Sequence, residues 1–165
     1  MPESLSELVS LLASGDRETR IDAAGRLCRA GEAAAAAAVP LVGACGDSES
    51  EVRDQAVAAL EELGPPPPES LESLVDLVAA ADPLVAYWAI TLLGRAGEAA
   101  ADAAPMLAQR LGSGSEPAVA QRAAWALGKI GPAAQAETGP LRAAAASTDP
   151  RLARLAQEAL SAIGG

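Results

Sequence analysis

Apolar residues recur along this chain at helical spacing, and the pattern itself returns every 33 or 34 residues. Counting back from the glycines that close each apolar run, Gly31, Gly64, Gly97, Gly131 and Gly164, the fourth residue is always leucine: Leu27, Leu60, Leu93, Leu127 and Leu160. The eighth is always alanine: Ala23, Ala56, Ala89, Ala123 and Ala156. The twelfth is Thr19, Val52, Val85, Val119 or Leu152, and the fifteenth is an acid, Asp16, Glu49, Asp82, Glu116 or Asp149. At 3.6 residues per turn, positions twelve, eight, five, four and one before the anchor share a stripe about 100° wide. The spacing therefore predicts a helix in each repeat, over 17–30, 50–63, 83–96, 117–130 and 150–163. The acid stands at the N-cap, Pro83, Pro117 and Pro150 occupy the first helical position, and the anchor glycine supplies a left-handed terminator.

A shorter apolar segment precedes each of these helices, at 5–12, 34–45, 70–78, 100–111 and 136–145, and predicts a first helix in each repeat. Ser4 and Glu7 have the spacing of a capping box at the start of the first one. Pro40, Pro105 and Pro140 fall inside three others and should kink or restart them. The run Pro65 to Pro68 is too short for a linker and reads as a stiff extended turn. The fold expected is all-α: a right-handed α-solenoid of five helix pairs in a single domain, 1–165. Its repeats span 1–31, 32–64, 65–97, 98–131 and 132–165.

Composition narrows the function. The chain of 165 residues has 42 alanines, two Trp, one Tyr and no Phe, so its helices must pack closely through small side chains. It has no His, which removes the usual general base and the commonest metal ligand. No nucleophile triad, Cys-x-x-Cys pair or phosphate loop is present, so no catalytic residue, metal site or cofactor is expected. Twelve basic against 22 acidic residues give a net charge of −10, the wrong sign for nucleic acid. Cys28 and Cys45 read as small filler in a reducing compartment. The start Met1-Pro2-Glu3 lacks a basic region followed by an apolar run, and no apolar stretch of 18 residues escapes a charge or Pro. The expectation is a cytoplasmic protein without membrane contact.

The segment from Glu116-Pro117-Ala118-Val119 to Ala123-Ala124-Trp125-Ala126-Leu127-Gly128-Lys129-Ile130-Gly131 resembles the short HEAT-like repeat first associated with phycobilin lyases. The arginine of that pattern is present as Arg20 and Arg53, and Ala120 replaces it in the fourth repeat. The resemblance covers essentially the whole chain. It implies a helix-pair superhelix of the armadillo-like kind that serves most often as a protein-binding scaffold, and in some members handles chromophores or DNA.

In such solenoids the second helices line the concave side. Positions ten, six, three and two before each anchor should be exposed there, with position nine on the flank. These positions hold Ile21, Asp22, Cys28 and Arg29, then Asp54, Gln55, Glu61 and Glu62, then Tyr87, Trp88, Thr91 and Arg95. Gln121, Arg122, Trp125 and Lys129 follow, and last Arg154, Leu155 and Glu158. The aromatic residues Tyr87, Trp88 and Trp125 thus lie on or beside one face, which suits ligand binding, although Trp88 on the flank also suits a seam between helices. Tyr87 and Trp125, on adjacent helices, are expected to grip a ligand between their rings. Asp54, Glu61 and Glu62 carry part of the acidic excess, and Arg122, Lys129 and Arg154 have the opposite sign. The expected function is a non-enzymatic scaffold that holds a protein or peptide, basic where it meets those acids. The alternative, implied by the resemblance alone, is lyase-like or chaperone-like handling of a linear tetrapyrrole stacked on the three aromatics. Leu155 and Ile163 lack a following repeat, so the last repeat is expected to pair with another copy or a different protein.

Overall fold

The computed structural model describes residues 3–164, and residues 1, 2 and 165, at the outer ends of the first and last repeats, lie outside the described residues. Among the described residues all regular structure is helical. The chain gathers into two compact units, Met1–Ser70 and Leu71–Gly165. The division comes just after the proline run, where the sequence marks only a turn between the second and third repeats.

The first unit contains α1 (Leu5–Leu12), α2 (Arg17–Ala30), α3 (Ala38–Ala44) and α4 (Ser50–Glu62). The second contains α5 (Leu71–Val78), α6 (Pro83–Ala96), α7 (Ala104–Gln109), α8 (Pro117–Ile130), α9 (Thr138–Ala145) and α10 (Pro150–Gly164). In the first unit α2 packs beside α4, with α1 on α2 and α3 on α4. In the second α8 packs between α6 and α10, and α5, α7 and α9 each cover the helix that follows. Each unit is therefore two-layered, with the long second helices side by side.

The repeated columns explain this packing. The alanines eight before each anchor are all fully buried, so neighbouring helices approach closely there. Leu27, Leu60, Leu93 and Leu127 are fully buried too, each worth about 1.5 to 3 kcal/mol relative to an exposed leucine. Leu160 departs from its column and is half-buried, and Ala30 is exposed. Ile163, expected to be uncovered, is 3% exposed, because α10 is packed by α8, α9 and the turn of helix before α9. Leu155 remains half-exposed.

Local structure corrects several expectations. The first helices of the second, fourth and fifth repeats are not continuous over 34–45, 100–111 and 136–145. Each begins with a 3-10 segment, Gly31–Ala37, Gly97–Ala103 or Gly131–Glu137, and becomes α-helical only at Ala38, Ala104 or Thr138. Pro40, Pro105 and Pro140 then fall in the first turn, where a missing N–H is not needed, so each proline restarts the helix rather than bending it. Gly31, Gly97 and Gly131 have φ of 55°, 60° and 72° with ψ near −133° to −142°. That is the mirror of the extended region rather than a left-handed helix turn, and it aims the chain straight into the 3-10 segment; a side chain there would be strained. Gly64 and Gly164 do not adopt positive φ. The second helix of the second repeat ends at Glu62 with Leu63 extended, as Pro65 disfavours a helical Gly64.

Caps divide by side-chain length. Asp16 accepts from Thr19 N at 2.8 Å, Asp82 from Leu84 N and Val85 N, and Asp149 from Arg151 N and Leu152 N. Glu49 and Glu116 hold the same position with no cap bond, one methylene too long for it. The Ser4–Glu7 capping box is formed. The stretch Arg17–Ala44 contains an 18-residue window of mean hydropathy 1.2, apolar enough for a membrane span by length and composition. It turns at Gly31, however, and its Leu27, Ala34, Ala37, Leu41 and Val42 are fully buried within the unit.

In the first unit Arg20 ties the first repeat to the second, and Arg53 braces the loop inside the second. Arg20 grips Asp47 through Nε and Nη2 at 2.8 and 3.0 Å and also donates to the carbonyls of Ser14 and Gly15. Arg53 donates to the carbonyls of Asp47 and Ser48. The Arg20 and Asp47 side chains are 15% and 13% exposed, so this pair is screened less than a surface pair. The hydrogen bonds from Arg20 hold the Asp47 carboxyl below the ordinary aspartate value, against the opposing effect of burial. A depressed folded-state value contributes stability above the unfolded value, about 3.9, and loses it as pH falls through the folded one. Asp47→Asn is therefore expected to lower the urea midpoint at pH 7, and the gap from the parent protein should close below about pH 4. A gap independent of pH would assign the loss to packing.

Candidate functional site

In the second unit α6, α8 and α10 present one face, and the side chains expected to bind a partner meet there in a chain of contacts. Tyr87 comes from α6, and Arg122, Trp125 and Lys129 come from successive turns of α8. The Arg122 guanidinium carbon lies 4.6 Å from the Tyr87 ring centre and 4.8 Å from that of Trp125. Arg122 Nη2 also donates a hydrogen bond to Tyr87 Oη. Lys129 Nζ lies 5.8 Å from the Trp125 ring centre. The two rings, expected to grip a ligand, are thus both in contact with the chain's own Arg122. Cations over aromatic faces are attracted by the ring quadrupole, and the rings in turn fix the guanidinium plane.

Trp125 lies directly on the backbone of α6. A Cβ built at Gly94 would come within 2.3 Å of its Cζ3, so the indole rests in the place of a missing side chain. Gly94→Ala is expected to displace the ring, shifting tryptophan fluorescence, and to cost about 1 to 3 kcal/mol by overpacking despite alanine's better helix propensity. Circular dichroism should change little; an unaltered fluorescence spectrum would contradict this seating.

Tyr87, Gln121, Arg122 and Trp125, with Ala118, Arg151 and Leu155, line a cleft of about 170 Å³. A second hollow of about 250 Å³ adjoins it and shares Trp125 and Leu155. Asp149 lies nearby, but its carboxylate accepts from Gln121 Nε2 at 2.7 Å and from the two cap amides. Those bonds, the one from Gln121 foremost, hold it below the ordinary aspartate range.

Two residues must be removed from the outward face. Trp88 is 6% exposed and fills a seam, its ring edge-on to Tyr87 at 5.8 Å and beneath Arg95 at 5.7 Å. Thr91 is 4% exposed and donates to the Tyr87 carbonyl. Both residues lie on α6, which is packed by α5, α8 and the 3-10 segment Gly97–Ala103. Asp54, Glu61 and Glu62 belong to the first unit, all three exposed on α4. Asp54 and Glu61 are seven residues apart and share a face, and Glu62 stands about 100° round from Glu61. Arg151 was not singled out by the sequence, because it lies thirteen before its anchor. The signal was there: it stands one helical turn before Leu155, on the same edge of the helix.

The model of the HEAT repeats family matches residues 5–85 and 71–161 of the chain. The chain belongs to the HEAT-repeat family. This HEAT-repeat protein is similar in structure to an engineered protein solved by the Northeast Structural Genomics Consortium, at 26% identity over 98% of this chain and 80% of that one, with a TM-score of 0.67. It shares its fold with the complex of CpcE and CpcF of phycocyanin lyase from Nostoc sp. PCC7120, at 21% identity over 99% and 66% of the chains, TM-score 0.68. It shares it equally with a designed armadillo repeat protein in complex with the peptide (KR)4, at 19% identity over 96% and 81%, TM-score 0.67. No curated protein sequence matches the chain. For a HEAT-repeat protein the fold commonly mediates protein binding and is typically non-catalytic.

Proposed function

We propose that this HEAT-repeat protein is a non-enzymatic scaffold that binds a protein or peptide through its second helices. The observation that carries the reading is the seating of Tyr87 and Trp125. In a core built almost without aromatics, these two stay half-exposed, and Arg122 and the Gly94 backbone hold them rigid beside a cleft of about 170 Å³. Rigid, half-exposed aromatics beside a hollow are typical anchors of recognition. In the first unit, the exposed acids of α4, Asp54, Glu61 and Glu62, serve to draw basic groups of a partner.

Selection of binding peptides from a displayed library, followed by titration against the parent and Trp125→Ala, tests the reading. Peptides that bind the parent should lose most of their affinity for the variant; a library without binders, or binders indifferent to Trp125, would sink it. Titration with a linear tetrapyrrole belongs in the same series, and a shifted pigment absorbance with no peptide bound would move the function to chromophore handling. For peptides that engage the first unit, reversing Glu61 and Glu62 to lysine should slow association mainly. The effect should fade with salt, because charges more than about 8 to 10 Å apart are screened at physiological ionic strength. An effect confined to dissociation would place these acids inside the contact.

A further inference from the structure

We propose that the second-helix face of the Leu71–Gly165 unit takes an acidic peptide segment, with Arg122 and Arg151 receiving carboxylates and Trp125 covering the apolar residue between them. The inference rests on the peptide-binding reading above and adds the chemistry of the partner.

Its basis is a separation of charge within the unit. Residues 71–165 carry more acids than cations, yet α6, α8 and α10 hold Arg95, Arg122, Lys129, Arg151 and Arg154 against a single acid, Glu158. Glu158 is occupied by Arg154 Nη1 at 2.7 Å. The unit's other acids lie in caps, 3-10 segments and α5. Among the described residues Arg122, Lys129 and Arg151 form no ion pair, although each is within the same chain as a large excess of carboxylates. Asp149, which also feels the Arg151 charge, already accepts three hydrogen bonds.

The Arg122 guanidinium lies over two rings, those of Tyr87 and Trp125, and Tyr87 Oη accepts one of its hydrogen bonds. A guanidinium carries five N–H donors. Those left over border the cleft that Arg151 also lines. A planar fork held in place by two rings and a hydrogen bond can meet a carboxylate bidentately, and preorganisation spares the ordering cost of binding. The basic cleft passes at Trp125 and Leu155 into a hollow whose floor is Ala124, Gly128, Ala159 and Ala162 and whose rim carries Lys129 and Glu158, the latter paired with Arg154. Charged and apolar places thus adjoin along one line, which suits an extended segment that alternates acidic and apolar residues. Asp54, Glu61 and Glu62 belong to the other unit.

The test uses the full chain and three fluorescent octapeptides: one alternating glutamate or aspartate with leucine, its glutamine and asparagine counterpart, and its lysine counterpart. Anisotropy should show the acidic peptide binding at least tenfold more tightly than the amide one at low salt, with the lysine peptide weakest. Arg122→Gln should remove most of that preference and Arg122→Lys restore part of it, since charge without the fork is kept. Arg151→Gln, on an exposed residue that leaves the fold intact, should reduce the preference about threefold. Trp125→Ala should weaken the acidic and amide peptides alike. Equal binding of the amide peptide, or tighter binding of the lysine peptide, with dependence on Trp125 retained, would overturn the acidic partner and leave the scaffold standing. Binding of none of the three, or binding indifferent to Trp125, would overturn both. Self-association abolished by Arg122→Gln, with no acidic peptide bound, would make a second copy the occupant and overturn the proposal. So would preference for a free linear tetrapyrrole at these residues.

Discussion

Leu93→Ala is expected to destabilise the protein by about 2 to 5 kcal/mol, the range for removing a fully buried leucine from a core that closes only partly over the gap. Leu93 is fully buried on α6, which is packed by α5, by α8 and by the 3-10 segment Gly97–Ala103. None of these elements is free to collapse into the cavity without disturbing a second contact. Leu160 holds the same position of its own repeat but is half-buried, so Leu160→Ala should cost distinctly less. Urea unfolding of both variants at equal m-value measures the difference. Equal losses would contradict an architecture in which each helix is held by its neighbours in the stack.

Trp125→Ala should weaken partner binding by about 2 kcal/mol or more, roughly thirtyfold, while far-ultraviolet circular dichroism stays that of the parent. The expected loss is large because truncation removes two things together. It deletes the aromatic surface shared by the cleft and the hollow, and it takes away one of the two rings that hold the Arg122 guanidinium. Tyr87→Phe separates these contributions. It keeps the ring over Arg122 but removes the hydroxyl that accepts from Nη2, so its effect should be a fraction of that of Trp125→Ala. Unaltered binding in both variants would move the site off this face.

The periodic part of this protein was legible without coordinates. Invariant Leu and Ala columns, acids at the caps and prolines at the first helical position locate α2, α6 and α8 to the residue, since a helix's buried stripe and its ends are set by neighbours in sequence. Where the physics is local but finer than hydrophobic pattern, the outcome differed. Glu49 and Glu116 stand at N-cap positions yet make no cap bond, and three first helices begin as 3-10 segments because a proline in the first α-turn delays the α-helix.

The proposed binding face was legible as a set of residues and not as an arrangement. Tyr87, Arg122, Trp125 and Lys129 were placed on one side by counting, but counting within a helix says nothing of what crosses between helices. That Arg122 of α8 lies over a ring of α6 and one of α8, and that the indole of Trp125 rests on Gly94, were decided by the packing of α6 against α8. The same holds for Arg20 and Asp47, 27 residues apart, whose pairing depends on α2 lying beside α4. Sequence by itself determined the helices, their register and the residues each offers, because those follow from periodicity along one chain segment. Only the tertiary structure decided which cations are held by rings, which acids are occupied and where a cleft remains, because each depends on distances between segments that no periodicity encodes.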